Sequence, residues 1–151
     1  MTTFTITGDD TLVLGDRVIT DLADADNFAI TFANNRVEVK TGKNKNTIFA
    51  RNATGDNADA SIRLVRGSSD DRFLQGKIAE SDRDFAATPL LNGSFVKRMG
   101  DGEGSVILDT YIMSGGMIVK RVDGKDNSDG DIEQGVSVYT MKFANAVRSA
   151  Q

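Results

Sequence analysis

Residues 59–78 set an alternating strand almost directly against a capped helix, and that junction constrains the fold more than any other stretch. Ala60, Ile62 and Leu64 fall on one face of the run and Ser61 and Arg63 on the other, the period of two that a half-buried strand requires. After Gly67 come Ser68, Ser69, Asp70 and Asp71, then Phe73, Leu74 and Ile78. Ser and Asp oxygens accept the free N–H groups of a helix's first turn, and carboxylates sit well against its positive end. Ser69, Asp70 and Asp71 are therefore expected to cap a helix over residues 69 to about 79.

Around this unit the chain reads as strand. Residues 3–7, 12–14 and 17–20 form short runs divided by turns at Gly8-Asp9-Asp10 and Gly15-Asp16. Residues 28–32 and 36–40 flank Ala33-Asn34-Asn35, where asparagine's tolerance of positive φ predicts a tight hairpin. The basic turn 41–46 leads to residues 47–51. Beyond an irregular stretch (81–93) around Pro89, strands are expected at about 94–99, 105–113 and 117–122, the last two joined by a hairpin at Ser114-Gly115-Gly116. Residues 136–143 carry apolar groups on both faces, as a central strand buried on two sides does. Nine or ten strands and one helix predict a mainly β fold: a β-sandwich or half-open β-barrel with one flanking helix. At 151 residues, one domain over 1–151 is the simplest organisation.

The chain has no cysteine and no histidine. Disulfides, thiolate metal sites, imidazole ligands and Ser-His or Cys-His dyads are therefore closed to it. No basic segment followed by an apolar run opens the sequence and no stretch approaches bilayer length, so neither a signal peptide nor a membrane anchor is expected. The sequons at Asn52 and Asn92 then read as chance matches.

Charge is segregated. Residues 36–51 hold Arg36, Lys40, Lys43, Lys45 and Arg51 against Glu38 alone. Residues 8–26 hold Asp9, Asp10, Asp16, Asp21, Asp24 and Asp26 against Arg17, and residues 123–133 hold Asp123, Asp126, Asp129, Asp131 and Glu133 against Lys125. Solvated loops account for such runs through solubility alone; complementary surfaces account for them through partner choice and register.

Sites with chemistry are poorly supplied. An EF-hand frame with Gly130 at position 6 puts Lys125 at position 1 and Val136 at position 12, failing at both decisive ligands. The glycine-rich stretch 100–104 lies between strands, without the helix N-terminus that a phosphate cradle needs. Without Trp, a sugar platform is meagre, although two acids for glycoside hydrolysis can meet across any sheet. The basic hairpin has one aromatic, Phe49, and lacks the interleaved stacking residues of a single-strand binder. A net charge of −4 weighs against a dedicated nucleic-acid binder.

The order of elements resembles the tail tube proteins of contractile-tailed bacteriophages, whose fold is shared by the tubes of type VI secretion. Residues 59–74 carry most of the likeness and the closing strand, 135–145, supports it. The resemblance implies a structural virion protein without enzymatic activity or cofactor. It implies hexameric rings stacked helically into a hollow inner tube through which DNA passes without specific binding. It also implies sheath, baseplate and tail terminator proteins as partners, and a place in the phage tail after assembly in the host cytoplasm. On this reading Arg36, Lys40, Lys43, Lys45 and Arg51 meet acid on a neighbouring copy: Asp9, Asp10, Asp24 and Asp26, or Asp123, Asp126, Asp129 and Asp131. Asp70 and Asp71 carry a second reading as partners for that hairpin. A type VI-like tube, a baseplate component and a small-molecule-binding β-barrel carrier are the alternatives.

Overall fold

The computed structural model describes residues 3–151; Met1 and Thr2, where the N-terminal reading begins, lie outside the described residues. Among the described residues nine strands and one α-helix are arranged as β1 (Thr5–Leu14), β2 (Arg17–Ile19), β3 (Phe28–Phe32), β4 (Val37–Thr41), β5 (Thr47–Arg51), β6 (Ala58–Val65), α1 (Ser69–Arg83), β7 (Leu91–Gly100), β8 (Val106–Ile118) and β9 (Val136–Ala150). Seven strands form one antiparallel sheet in the order β2-β1-β7-β8-β9-β6-β3, and β4 and β5 form a separate two-stranded hairpin. The fold is mainly β with one helix, as the sequence predicts.

The sheet curls until its ends approach each other. Residues after β2 cross to the outer side of β6, where the Val65 N–H donates to Asp21 O (2.9 Å) and the Ala23 N–H to Arg63 O (2.8 Å). Phe28 on the edge strand β3 stacks on Phe95 of β7 at 4.5 Å between ring centroids, although three strands separate them within the sheet. The result is a half-open barrel. Its concave side is filled by Leu12, Leu14, Ile62, Leu64, Met113, Tyr139, Met141 and Phe143, and α1 adds Leu74 and Ile78 to the same cluster.

The strand–helix junction is built from its capping chemistry. Ser68, one residue earlier than expected, is the N-cap: its hydroxyl accepts the Asp71 N–H at 3.3 Å. The Asp71 carboxylate reaches back to the Gly67 N–H at 2.8 Å, a reciprocal arrangement of the capping-box kind. Ser69 is instead the first helical residue, its hydroxyl donating to Asp21 (3.2 Å) and accepting from Arg17 (2.9 Å). The helix also runs four residues past the expected end.

Three local turn readings are corrected. Gly8-Asp9-Asp10 is a bulge within the continuous β1, with the register shifting between Ile6 and Asp10. Ala33-Asn34-Asn35 makes no hairpin: β3 pairs with β6, and β4 with β5. Pairing Phe28 and Ile30 opposite Ile62 and Ala60 buries more apolar surface than a local β3–β4 hairpin would, and non-local burial outweighs turn propensity. Ser114-Gly115-Gly116 likewise lies inside one long strand, β8, paired on both sides.

The glycines there serve close approach. A Cβ on Gly116 would stand 2.3 Å from Cε1 of the buried Phe143 ring and 2.9 Å from Leu91 O, while Gly115 takes φ +66°. Gly116→Ala is accordingly expected to cost about 1–3 kcal/mol through overpacking, read as a lower urea midpoint at unchanged slope.

Candidate assembly surfaces

The strand β6 sets the polarity of the molecule. At its Ala58 end the chain arrives from the hairpin, whose root is held by the Ala33 N–H to Asn57 O (3.1 Å) and the Asn52 N–H to Arg36 O (3.0 Å). At its Val65 end, Arg66 donates to Lys125 O and Gln134 O, each at 3.0 Å, and its N–H donates to Gly135 O at 2.8 Å. Two residues in from that end, Arg63 grips both Glu133 carboxylate oxygens at 3.1 Å and lies 3.5 Å from Asp24 Oδ1. The cationic hairpin and the acidic segments 20–27 and 123–135 therefore sit at opposite poles.

Side-chain pairing sorts the acids further. Asp9 and Asp10 lie at the hairpin's own end of the sheet, on the part of β1 that faces β7, beside Arg98 (3.8 Å) and Lys97 (3.2 Å). At the acidic pole Asp123 is held by Lys120 at 3.0 Å and Asp131 by Lys125. The ammonium of Lys125, with the Glu133 N–H, keeps the Asp131 carboxyl below the usual carboxylate range. Among the described residues, Asp26, Asp126 and Asp129 make no ion pair, and neither do Arg36, Lys40, Lys43, Lys45 or Arg51. Those are the charges left for a partner.

Asp70 is not among them. It is 1% exposed; Oδ1 accepts Arg17 Nε at 2.7 Å, and Oδ2 accepts the N–H groups of Thr20 and Asp21 at 2.7 and 2.9 Å. Burial alone would raise its pKa, but the Arg17 guanidinium and the two N–H donors outweigh it and hold the carboxyl below the ordinary value. Asp71 is similarly engaged, accepting the buried Tyr139 hydroxyl at 2.5 Å. Both acids tie α1 to the barrel.

The hairpin's second feature is apolar, and charge counting missed it. Val37, Val39 and Thr41 face Arg51, Phe49 and Thr47 across the ladder, so one side presents Val39 and Phe49, the latter 71% exposed. A two-stranded hairpin with nothing packed on it is marginally stable at best, and here Val39 and Phe49 stand exposed together on one side. The alternation Val37-Glu38-Val39 carried that signal in the sequence, while Ile48, opposite Lys40, lies on the other side.

The outward face at the acidic pole carries a matching patch. Val65 pairs with Val136 and Arg63 with Val138, so the side chains of Val65, Val136 and Val138 share one face. The Val119 N–H donates to Thr140 O (3.0 Å), placing Val119 beside them. Val65, Val119 and Val138 are between 41% and 50% exposed. The adjoining groove, about 360 Å³, is rimmed by Lys120, Arg121, Asp123, Lys125 and Glu133.

No protein-family model and no curated protein sequence matches the chain. Among the solved structures that share its fold are three of contractile injection particles. The tube-terminating cap of the anti-feeding prophage superposes with a TM-score of 0.56 at 11% identity, over 94% of this chain and 88% of that one. The sheath/tube terminator of the extracellular contractile injection system PVC, in its extended state, gives 0.51 at 10%, over 94% and 92%. The PVC sheath–tube complex, also extended, gives 0.53 at 9%, over 94% and 88%.

Proposed function

We propose that this chain is a structural subunit of a contractile, phage-tail-like particle, assembling as hexameric rings that stack into the hollow inner tube, the conduit for DNA in a phage tail. The observation that carries this reading is polarity: a cationic, apolar-faced hairpin roots at one pole, and unpaired acid with an exposed valine patch lies at the other. A surface matched to a different surface on the next copy is heterologous, and such contacts stay open along an axis. The shared fold of tube and terminator components supports the assignment, and sheath, baseplate and terminator proteins are its natural neighbours. The concave side filled by Leu64, Leu74, Tyr139, Met141 and Phe143 speaks against the carrier reading, which needs a cavity there.

Terminator rather than tube is the second reading, favoured by the likeness to two terminating components. Size-exclusion chromatography with light scattering separates them. A tube subunit gives particles growing with concentration beyond six times the 16.2 kDa protomer; a terminator stops at one ring. A monomer at every concentration would defeat both.

A further inference from the structure

We infer that the β4–β5 hairpin is a hinged arm that opens and closes without the barrel in the free chain, and that assembly holds it closed. Its behaviour in the free chain follows from the hairpin alone; what closes it rests on the assembly reading above. Among residues 33–51 only Val37 is partly shielded, and every other residue is exposed. Val39 and Phe49 stand out on one side and Ile48 on the other, so neither face has the packed layer that a pair of strands needs for stability. Among the described residues, the backbone groups of 36–51 bond to nothing beyond Asn52.

The joint lies in residues 33–35 and 53–57, where the Ala33 N–H donates to Asn57 O (3.1 Å) and Asn34 Nδ2 to Gly55 O (3.3 Å). Two clefts open there: one of about 290 Å³ between Arg36 and Asn52 and the Val147 and Arg148 of β9, and one of about 470 Å³ lined by Val37, Arg51 and Asp56. At the tip Asn44 and Lys45 both hold left-handed backbone, φ +67° and +65°, which a lysine adopts only at a cost. An element with few packed contacts and exposed hydrogen bonds opens locally, while the core strands open only with the whole domain. A neighbour that binds the closed arm sees only the closed fraction, which weakens its apparent affinity in proportion. The arm is thus a brake on growth from free chains, released once contacts order it.

Hydrogen–deuterium exchange of the wild-type chain tests the arm without any substitution. The bonds at 36/52 and 42/46 place the ladder amides at Glu38, Lys40, Ile48 and Ala50 by alternation. In dilute free chains these should exchange within about tenfold of an unstructured peptide, and roughly 100-fold or more faster than those of β6 and residues 136–143. In sedimented particles they should slow at least about tenfold. Hairpin amides as slow in the free chain as those of β6 overturn the arm; amides as fast in particles as in free chains overturn its closure by assembly. The chain has no cysteine, so Thr41→Cys with Thr47→Cys, directly opposite in the ladder, allows one staple. Its oxidised form should assemble at a concentration about threefold or more below that of the reduced form, because every arm is already closed. Equal thresholds overturn the brake. A chain that assembles under no condition overturns the assembly reading and the closure with it, while fast exchange of its hairpin still upholds the arm.

Discussion

Reversing Lys40, Lys43 and Lys45 to Glu should leave a folded protein that no longer polymerises. All three lie on or beside β4, where nothing else in the chain packs against them and where, among the described residues, they make no ion pair. Their replacement therefore leaves the barrel's circular dichroism and melting temperature essentially unchanged. At the contact, three attractive charges become three repulsive ones, and like-charge juxtaposition across an interface costs several kcal/mol. At about 4 kcal/mol the critical concentration for growth rises roughly 10³-fold, which sedimentation reads directly. Salt should act in the same direction on the wild type, because the Debye length falls from about 10 Å at 0.1 M to about 3 Å at 1 M. Wild-type particles from the triple variant would remove the hairpin from the assembly contact.

Asp70→Ala should have the largest effect on folding itself. The substitution strands the Arg17 guanidinium and the Thr20 and Asp21 N–H groups, all of which converge on this one carboxylate. Leaving the Thr20 and Asp21 N–H groups without an acceptor costs about 1–3 kcal/mol each, while Arg17, itself 36% exposed, turns to solvent; at this chain length that lowers the melting temperature by about 10 °C. Acid should do to the wild type what the mutation does. The folded carboxyl is held below its ordinary value, so its contribution is complete above the unfolded pKa near 3.9 and fades as pH falls through the lower folded value. The variant should lack that component of acid sensitivity, which urea titrations at pH 6 and pH 3 would measure.

The two residue sets illustrate what the sequence could disclose. The strand from 59 and the helix were legible because alternation and capping are local, and Asp70 and Asp71 stood out as first-turn acids. Their actual partners were not legible: Arg17 lies 53 residues from Asp70 and Tyr139 lies 68 from Asp71, and only the curl of the sheet brings them together. Asn34-Asn35 and Ser114-Gly115-Gly116 misled for the opposite reason. Their local turn preference is real, but long-range pairing of β3 with β6 and of β8 with both neighbours decided the backbone. The charge blocks were plain in the sequence, yet residues 8–26 do not act as one surface. Asp9 and Asp10 sit at the hairpin's end beside Arg98 and Lys97, while Asp24 and Asp26 belong to the opposite pole. The valine patch was least visible of all, since Val65, Val119 and Val138 come from three separate segments and meet only through sheet register.

On the proposed reading surfaces carry the function, and the fold's task is to hold two unlike ones roughly a strand's length apart. Negative-stain electron microscopy of the purified wild-type protein, concentrated at low salt, tests that most directly. The account predicts hollow sixfold rings stacking into tubes of uniform width; a field of isolated globular particles under those conditions would contradict it.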